Sequence, residues 1–175
     1  MVPPRRPALN QASPVNTRTA ERRALRFDSI NDILKDVDRI VAAERAGTLR
    51  RTGNWTVGQT LGHLAAWIEY GYNGFPPEAH PPWLVRVIAK MLKNRILYKP
   101  MGAGMKVGRI PGGTLGIEPI STDEGARRFR EALARLQRRE EPKFHSPAFG
   151  PMTEDERLAL NLRHAELHLG FQHPG

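Results

Sequence analysis

The stretch "NWTVGQTLGHLAAWIEYGYNGFPP", residues 54–77, carries a helical signature from end to end. Thr56 and Gln59 stand at capping-box spacing. In such a box a hydroxyl accepts from the backbone N–H three residues on, and the longer side chain returns the bond. Behind that cap, Val57, Leu61, Leu64, Ala65 and Ile68 recur at intervals of three and four, the stripe of a helix that buries one face. Asn73, Gly74 and the prolines at 76 and 77 end the pattern.

The same grammar extends in both directions. "FDSINDILKDVDRIVAAERAG", residues 27–47, begins with a Ser29/Asp32 box, carries Ile30, Ile33, Leu34, Val37, Ile40 and Val41 at helical spacing, and stops at Gly47. "PPWLVRVIAKMLKNRILY", residues 81–98, opens on proline, which suits a first helical turn, and reads as one apolar helix with a basic face. "STDEGARRFREALARLQRREE", residues 121–141, adds a Ser121/Glu124 box and a Phe129, Ala132, Leu133, Leu136 stripe. A last helix over about 154–170 follows a Thr153/Glu156 box, with Leu158, Leu162, Ala165 and Leu169 toward the core. No segment alternates with period two for long enough to make a sheet. The expected fold is all-α, most simply a four-helix bundle with one additional helix and a long Gly/Pro-rich loop.

A chain of 175 residues is one domain of ordinary size. Residues 1–26, rich in Pro, Arg and small polar residues and without periodicity, read as a flexible basic arm. The domain proper is then 27–175. No apolar run approaches the ~20 residues of a membrane span, and the N-terminus has no apolar core of a secretory signal. A cytoplasmic protein with no membrane partner is expected. The absence of cysteine removes disulfides, thiolate metal sites and a protein thiol nucleophile. Any metal must be held by His, Asp, Glu or water.

The formal net charge of +9 is unevenly spread. Residues 1–27 hold six arginines against one glutamate, and seven Lys or Arg fall between Glu78 and Glu118 with no acid among them. No nucleic-acid recognition motif accompanies these charges, so a solvated basic face and tail are preferred to a nucleic-acid site. The loop "KPMGAGMKVGRIPGGTLGIEPI", residues 99–120, is too long to be a plain connection in a compact domain. Its glycines match neither a phosphate loop nor a dinucleotide fingerprint.

Chemistry concentrates in "LRHAELHLGF", residues 162–171. His164 and His168 lie one turn apart on one side of a helix, beside the core stripe. On the helix of residues 54–77, His63 flanks its own stripe, with Gln59, Trp67 and Tyr70 on the same side. Packing of the two helices could bring three imidazoles together, and three protein ligands with an open fourth position is the layout of a reactive metal site. Hydrogen-bonded boundary histidines are the plain alternative. A peptidase motif is absent: Glu166 follows His164 by two residues and points away, and His173 misses the spacing of a third ligand.

The segments "LRFDSINDILKDVDRI", "GNWTVGQTLGHLAAWIEYGYNGFP", "KPMGAGMKV" and "LALNLRHAELHLGF" resemble a bacterial branch of the DinB-like superfamily, over about residues 24–171. The resemblance implies a four-helix bundle holding a divalent metal, zinc or nickel, through His63, His164 and His168. It also implies a low-molecular-weight thiol as co-substrate, because characterised members of the superfamily are mostly thiol S-transferases or isomerases. The first expectation is therefore a metal-dependent transferase acting on a small-molecule substrate, its nucleophile supplied by the thiol. The same ion could activate water instead. From a different class comes a non-catalytic helical metal-binding or interaction module. Trp67 and Tyr70 are expected to wall the substrate cleft. Lys99, Lys106 and Arg109 are expected to fold toward its mouth and steer an anionic thiol. A homodimer is left open.

Overall fold

The computed structural model of the protein describes residues 14–104 and 114–175. The expected all-α fold is found. Four helices of similar length build it: α1 (Ile30–Arg45), α2 (Val57–Asn73), α5 (Thr122–Gln137) and α6 (Glu154–Leu169). Between α2 and α5 lie a 3₁₀ turn (Pro77–Ala79) and two shorter helices, α3 (Trp83–Met91) and α4 (Lys93–Tyr98). Sequence periodicity predicts one helix over 81–98. The backbone instead breaks at Leu92 (φ −92°, ψ 6°), which lets α4 seat Leu97 fully buried while no residue of α3 is buried.

The caps explain where the long helices start. Ser29, Thr56 and Thr153 each form the complete reciprocal box with Asp32, Gln59 and Glu156. At α5 only half of the predicted box exists. Ser121 caps the Glu124 N–H, but the Glu124 carboxylate turns outward to the Arg127 guanidinium one turn along, a charge-assisted partner stronger than a lone N–H.

The apolar stripes meet in one core, in which Ile33, Val37 and Ile40 of α1, Leu61 and Leu64 of α2, Phe129 and Leu133 of α5, and Leu169 of α6 are almost wholly buried. Helices α2 and α5 cross closely because small residues face each other. A Cβ on Gly125 would stand 2.7 Å from the Gly58 carbonyl oxygen.

Two features depart from the sequence reading. A short antiparallel pair, β1 (Arg50–Arg51) with β2 (Gln172–His173), ties the C-terminus to the α1–α2 connection; two residues per strand are too few to leave a periodic trace. Residues 14–26, read as part of a flexible arm, are bonded to the body. Asn54 exchanges two hydrogen bonds with Val15, the Thr52 hydroxyl donates to the Glu21 carbonyl, and the Arg23 N–H donates to the Gly170 carbonyl. The Arg23 guanidinium also grips Asp36 of α1 through two hydrogen bonds, at 2.7 and 2.6 Å. Asp36 is buried, and a buried carboxylate demands such a partner. Among the described residues no helix is long and apolar enough to cross a membrane.

Candidate metal centre

Helix α2 contributes His63, about two turns past its cap and 1% exposed. Helix α6 contributes His164 and His168 from its C-terminal half, each half-buried. The three converge: one ring nitrogen from each lies within 4.8 Å of the other two. The Nε2 atoms of His63 and His164 are 3.1 Å apart. Two nitrogens held tetrahedrally at ~2.0–2.1 Å from a zinc ion would be separated by about 3.3 Å, so this pair already stands at ligand spacing. The three rings meet edge-on, at interplanar angles of 70°, 65° and 82°. Rings turned in this way present nitrogens to a shared point rather than stacking their faces.

His63 is oriented from behind. Its Nδ1 lies 2.7 Å from the Leu115 carbonyl oxygen, so Nδ1–H donates and the Nε2 lone pair is left for the cluster. A backbone carbonyl on the distal nitrogen is the usual device that sets tautomer and ring angle in a histidine ligand. Gly116 makes the approach of that carbonyl feasible. Its φ is +74°, and a Cβ there would sit 2.8 Å from Ala66 Cβ and 3.5 Å from the His63 Cα. The far end of the Gly/Pro-rich loop is thus laid directly on α2, and Gln59 Nε2 adds a hydrogen bond to the Ile117 carbonyl.

The electrostatics keep all three imidazoles neutral. Burial pushes His63 down to about 4, against weaker opposing effects of the Leu115 carbonyl and Glu118. His164 is held well below its ordinary value by burial and then by the neighbouring His63. His168 is lowered by burial first, then by His164, His63 and Arg22. His164 and His168 keep part of their surface open, yet the packing around their rings disfavours an imidazolium. Lone pairs crowded this closely repel one another unless a proton or a cation lies between them; burial disfavours the extra proton, and three neutral nitrogen donors fit a borderline divalent cation.

Aromatic side chains surround the cluster. Trp67 lies edge-on to His63 and to His164, with 6.2 Å between centroids in both cases, and Tyr70 lies edge-on to Trp67 at 5.8 Å. Both sit on the His63 side of α2, where the helical register puts them. The Trp67 Nε1 is buried without a hydrogen-bond partner among the described residues. Tyr70 also lines a cleft of about 340 Å³ with Ala66, Glu69, Asn73, Glu118 and Arg128. Burial and Glu118 raise its pKa, so the phenol keeps its proton.

Trp55 is the residue that sequence reading missed. It stacks on His168, 5.0 Å between centroids at 13°, and tilts against His63 at 4.8 Å. It stands just ahead of the α2 cap, outside any helical stripe, and its only sequence signal is that adjacency. Arg22 is similarly brought near His168 by the docked arm, and its guanidinium donates to the Met101 carbonyl at 3.4 Å.

Glu166 points away from the cluster. It accepts the Phe27 N–H at 2.5 Å and pairs with Arg163 at 2.7 Å. His173 lies on β2 against Arg50 and Thr52. Lys99 follows α4 and is exposed; Lys106 and Arg109 lie outside the described residues.

Compared with known families, the chain matches the family model described as "Protein of unknown function (DUF1569)" over residues 19–175. The chain belongs to this family. No curated protein and no solved structure gives a match. In this DUF1569 protein the matched span includes the docked part of the arm from residue 19, the three histidines, Trp55 and both ends of the loop.

Proposed function

We propose that this DUF1569 protein holds a divalent cation, zinc or nickel, through His63, His164 and His168, and uses it to transfer a low-molecular-weight thiol to a small electrophile. The observation that carries the reading is the convergence of the three neutral imidazoles, with the His63 tautomer held by the Leu115 carbonyl. The segment resemblance to the DinB-like superfamily supports the same ligand set and suggests the thiol. A bound ion would supply a Lewis-acid position that lowers the pKa of a coordinated thiol or water.

The chain's own residues have defined parts in this scheme. Leu115 fixes the His63 ring, and Trp55 stacked on His168 fixes a second. Trp55 and Trp67 exclude water from two sides, while Tyr70 opens toward the adjoining cleft as a protonated donor. Sulfur forms a new bond to the electrophilic carbon as the bond from that carbon to its leaving group breaks; the leaving group departs with the electron pair, and the thiol proton passes to it directly or through solvent. With no cysteine in the chain, the sulfur nucleophile comes from the co-substrate.

The test is elemental analysis of protein purified without a histidine tag, followed by thiol consumption assayed with a chromogenic electrophile. About one ion per chain is expected in the parent and none in a His63→Ala, His164→Ala double variant. Metal-free parent that also fails to take up zinc or nickel on titration refutes the centre. Metal-replete protein that consumes no thiol with any of glutathione, bacillithiol or mycothiol refutes the transferase and leaves a metal-binding module.

A further inference from the structure

Helix α3 is anomalous in an otherwise well-packed protein. Trp83 and Met91 are 71% and 79% exposed, and Leu84, Val85, Val87, Ile88 and Leu92 are each about half exposed. At 100° per residue these seven side chains fall within an arc of about 200°. Ala89, on the opposite side, is the one α3 residue that is not exposed. The helix therefore turns its smallest side chain to the body and its large apolar side chains to solvent. A contiguous patch of this kind marks an interaction surface.

The charge around the patch says what covers it. Arg86 and Lys90 border the Trp83 edge of the arc, and Arg95 and Lys99 follow on and after α4, all exposed. Lys93 is neutralised by Glu156 at 2.7 Å, whereas these four form no ion pair among the described residues. No acid occurs between Glu78 and Glu118 to balance them. A second copy docked patch to patch would bring cations against cations. An anionic lipid surface offers both an apolar layer for the arc and negative charge for its border.

We infer that α3 is an interfacial helix by which the protein rests on an anionic membrane surface. The helix lies in the headgroup plane with Trp83, Leu84, Val87, Ile88 and Met91 toward the acyl chains, while Arg86 and Lys90 meet the phosphates. This departs from the expectation of no membrane partner, which rested on the lack of a spanning segment; a helix of nine residues attaches without spanning. Leu97 and the Lys93–Glu156 pair anchor the adjoining α4 to the bundle, so the contact would be rigidly connected to α6, the helix of His164 and His168. The inference is independent of the metal-site reading.

The experiment is co-sedimentation of the full chain with sucrose-loaded vesicles of phosphatidylcholine alone or with 30–40% phosphatidylglycerol (roughly the anionic fraction at which basic segments bind well). Binding to the anionic vesicles, and at least about tenfold weaker binding to the neutral ones, is expected. An Arg86→Gln, Lys90→Gln double variant should lose roughly 25-fold in partition, about fivefold per cation. An Ile88→Asp, Met91→Asp variant should fail to sediment while melting at the parent temperature, because both side chains are exposed. Failure of the parent to sediment with anionic vesicles overturns the inference. So does a parent dimer in analytical ultracentrifugation that Ile88→Asp, Met91→Asp converts to monomer, which would assign the face to a second copy.

Discussion

Acidification of the metal-free protein tests the electrostatics of the cluster directly. His63 titrates at about 4 in the folded protein against an ordinary value of 6.5. Between those values the unfolded chain takes up a proton that the native site refuses, so stability falls as pH falls. At about 1.36 kcal/mol per pH unit, a difference of about 2.5 is worth about 3 kcal/mol, present at pH 7 and largely gone at pH 4. His164 and His168, also depressed, add losses of the same sign. Glu166 opposes them weakly, because burial raises its pKa and protonation of that carboxyl favours the native state. The assay is urea unfolding of chelator-treated protein at intervals from pH 7.5 to 4, for the parent and for His63→Gln. Subtracting the two curves cancels every group but His63 and its direct neighbours. The parent should lose about 3 kcal/mol more than the variant over this range. Parallel curves would mean that the His63 ring accepts a proton in place, and the argument for a neutral, metal-ready cluster would fail. Zinc should steepen the loss in the parent only, since protons then compete for ligand nitrogens.

Three further perturbations separate structure from function. Gly116→Ala forces a side chain into a left-handed conformation and against Ala66; it should cost about 1–2 kcal/mol from the backbone alone and weaken zinc affinity about 10–100-fold by displacing the Leu115 carbonyl. Unchanged affinity in a destabilised variant, by calorimetric titration, would show that Leu115 does not orient His63. Arg23→Ala strands the buried Asp36 carboxylate and should destabilise by about 3–5 kcal/mol in urea unfolding, with Arg23→Ala, Asp36→Asn recovering part of the loss. Trp67→Ala should lower stability by about 3 kcal/mol; a thiol-binding defect in a variant that stays folded at the assay temperature would place Trp67 in the substrate wall rather than only in the packing.

Much of the architecture could be read without coordinates because it is local. A capping box is made by residues three apart in the chain, and the boxes at Ser29, Thr56 and Thr153 all close. The apolar stripes behind them are a consequence of helical period and mark the faces that meet in the core. Helical period also puts His164 and His168 on one side of α6, and His63 with Trp67 and Tyr70 on one side of α2. What period cannot supply is the crossing of α2 and α6, which depends on how closely Gly58 and Gly125 let α2 and α5 approach and on how the four stripes share one core. The 3.1 Å between the His63 and His164 nitrogens is a product of that packing, as is the Leu115 carbonyl that reaches His63 from a loop fifty-two positions away. Trp55 joins the site and Arg23 anchors the arm for the same reason: long-range partners are chosen by burial, and an unpaired Asp36 or an unstacked His168 has no local pattern to announce it. At Glu124 a nearby arginine outcompeted the return bond of the box, and along 81–98 the one apolar helix with a basic face that the pattern predicts became two, with the apolar face of the first turned outward. Periodicity states which side of a helix is apolar; only the neighbours determine whether that side faces the core.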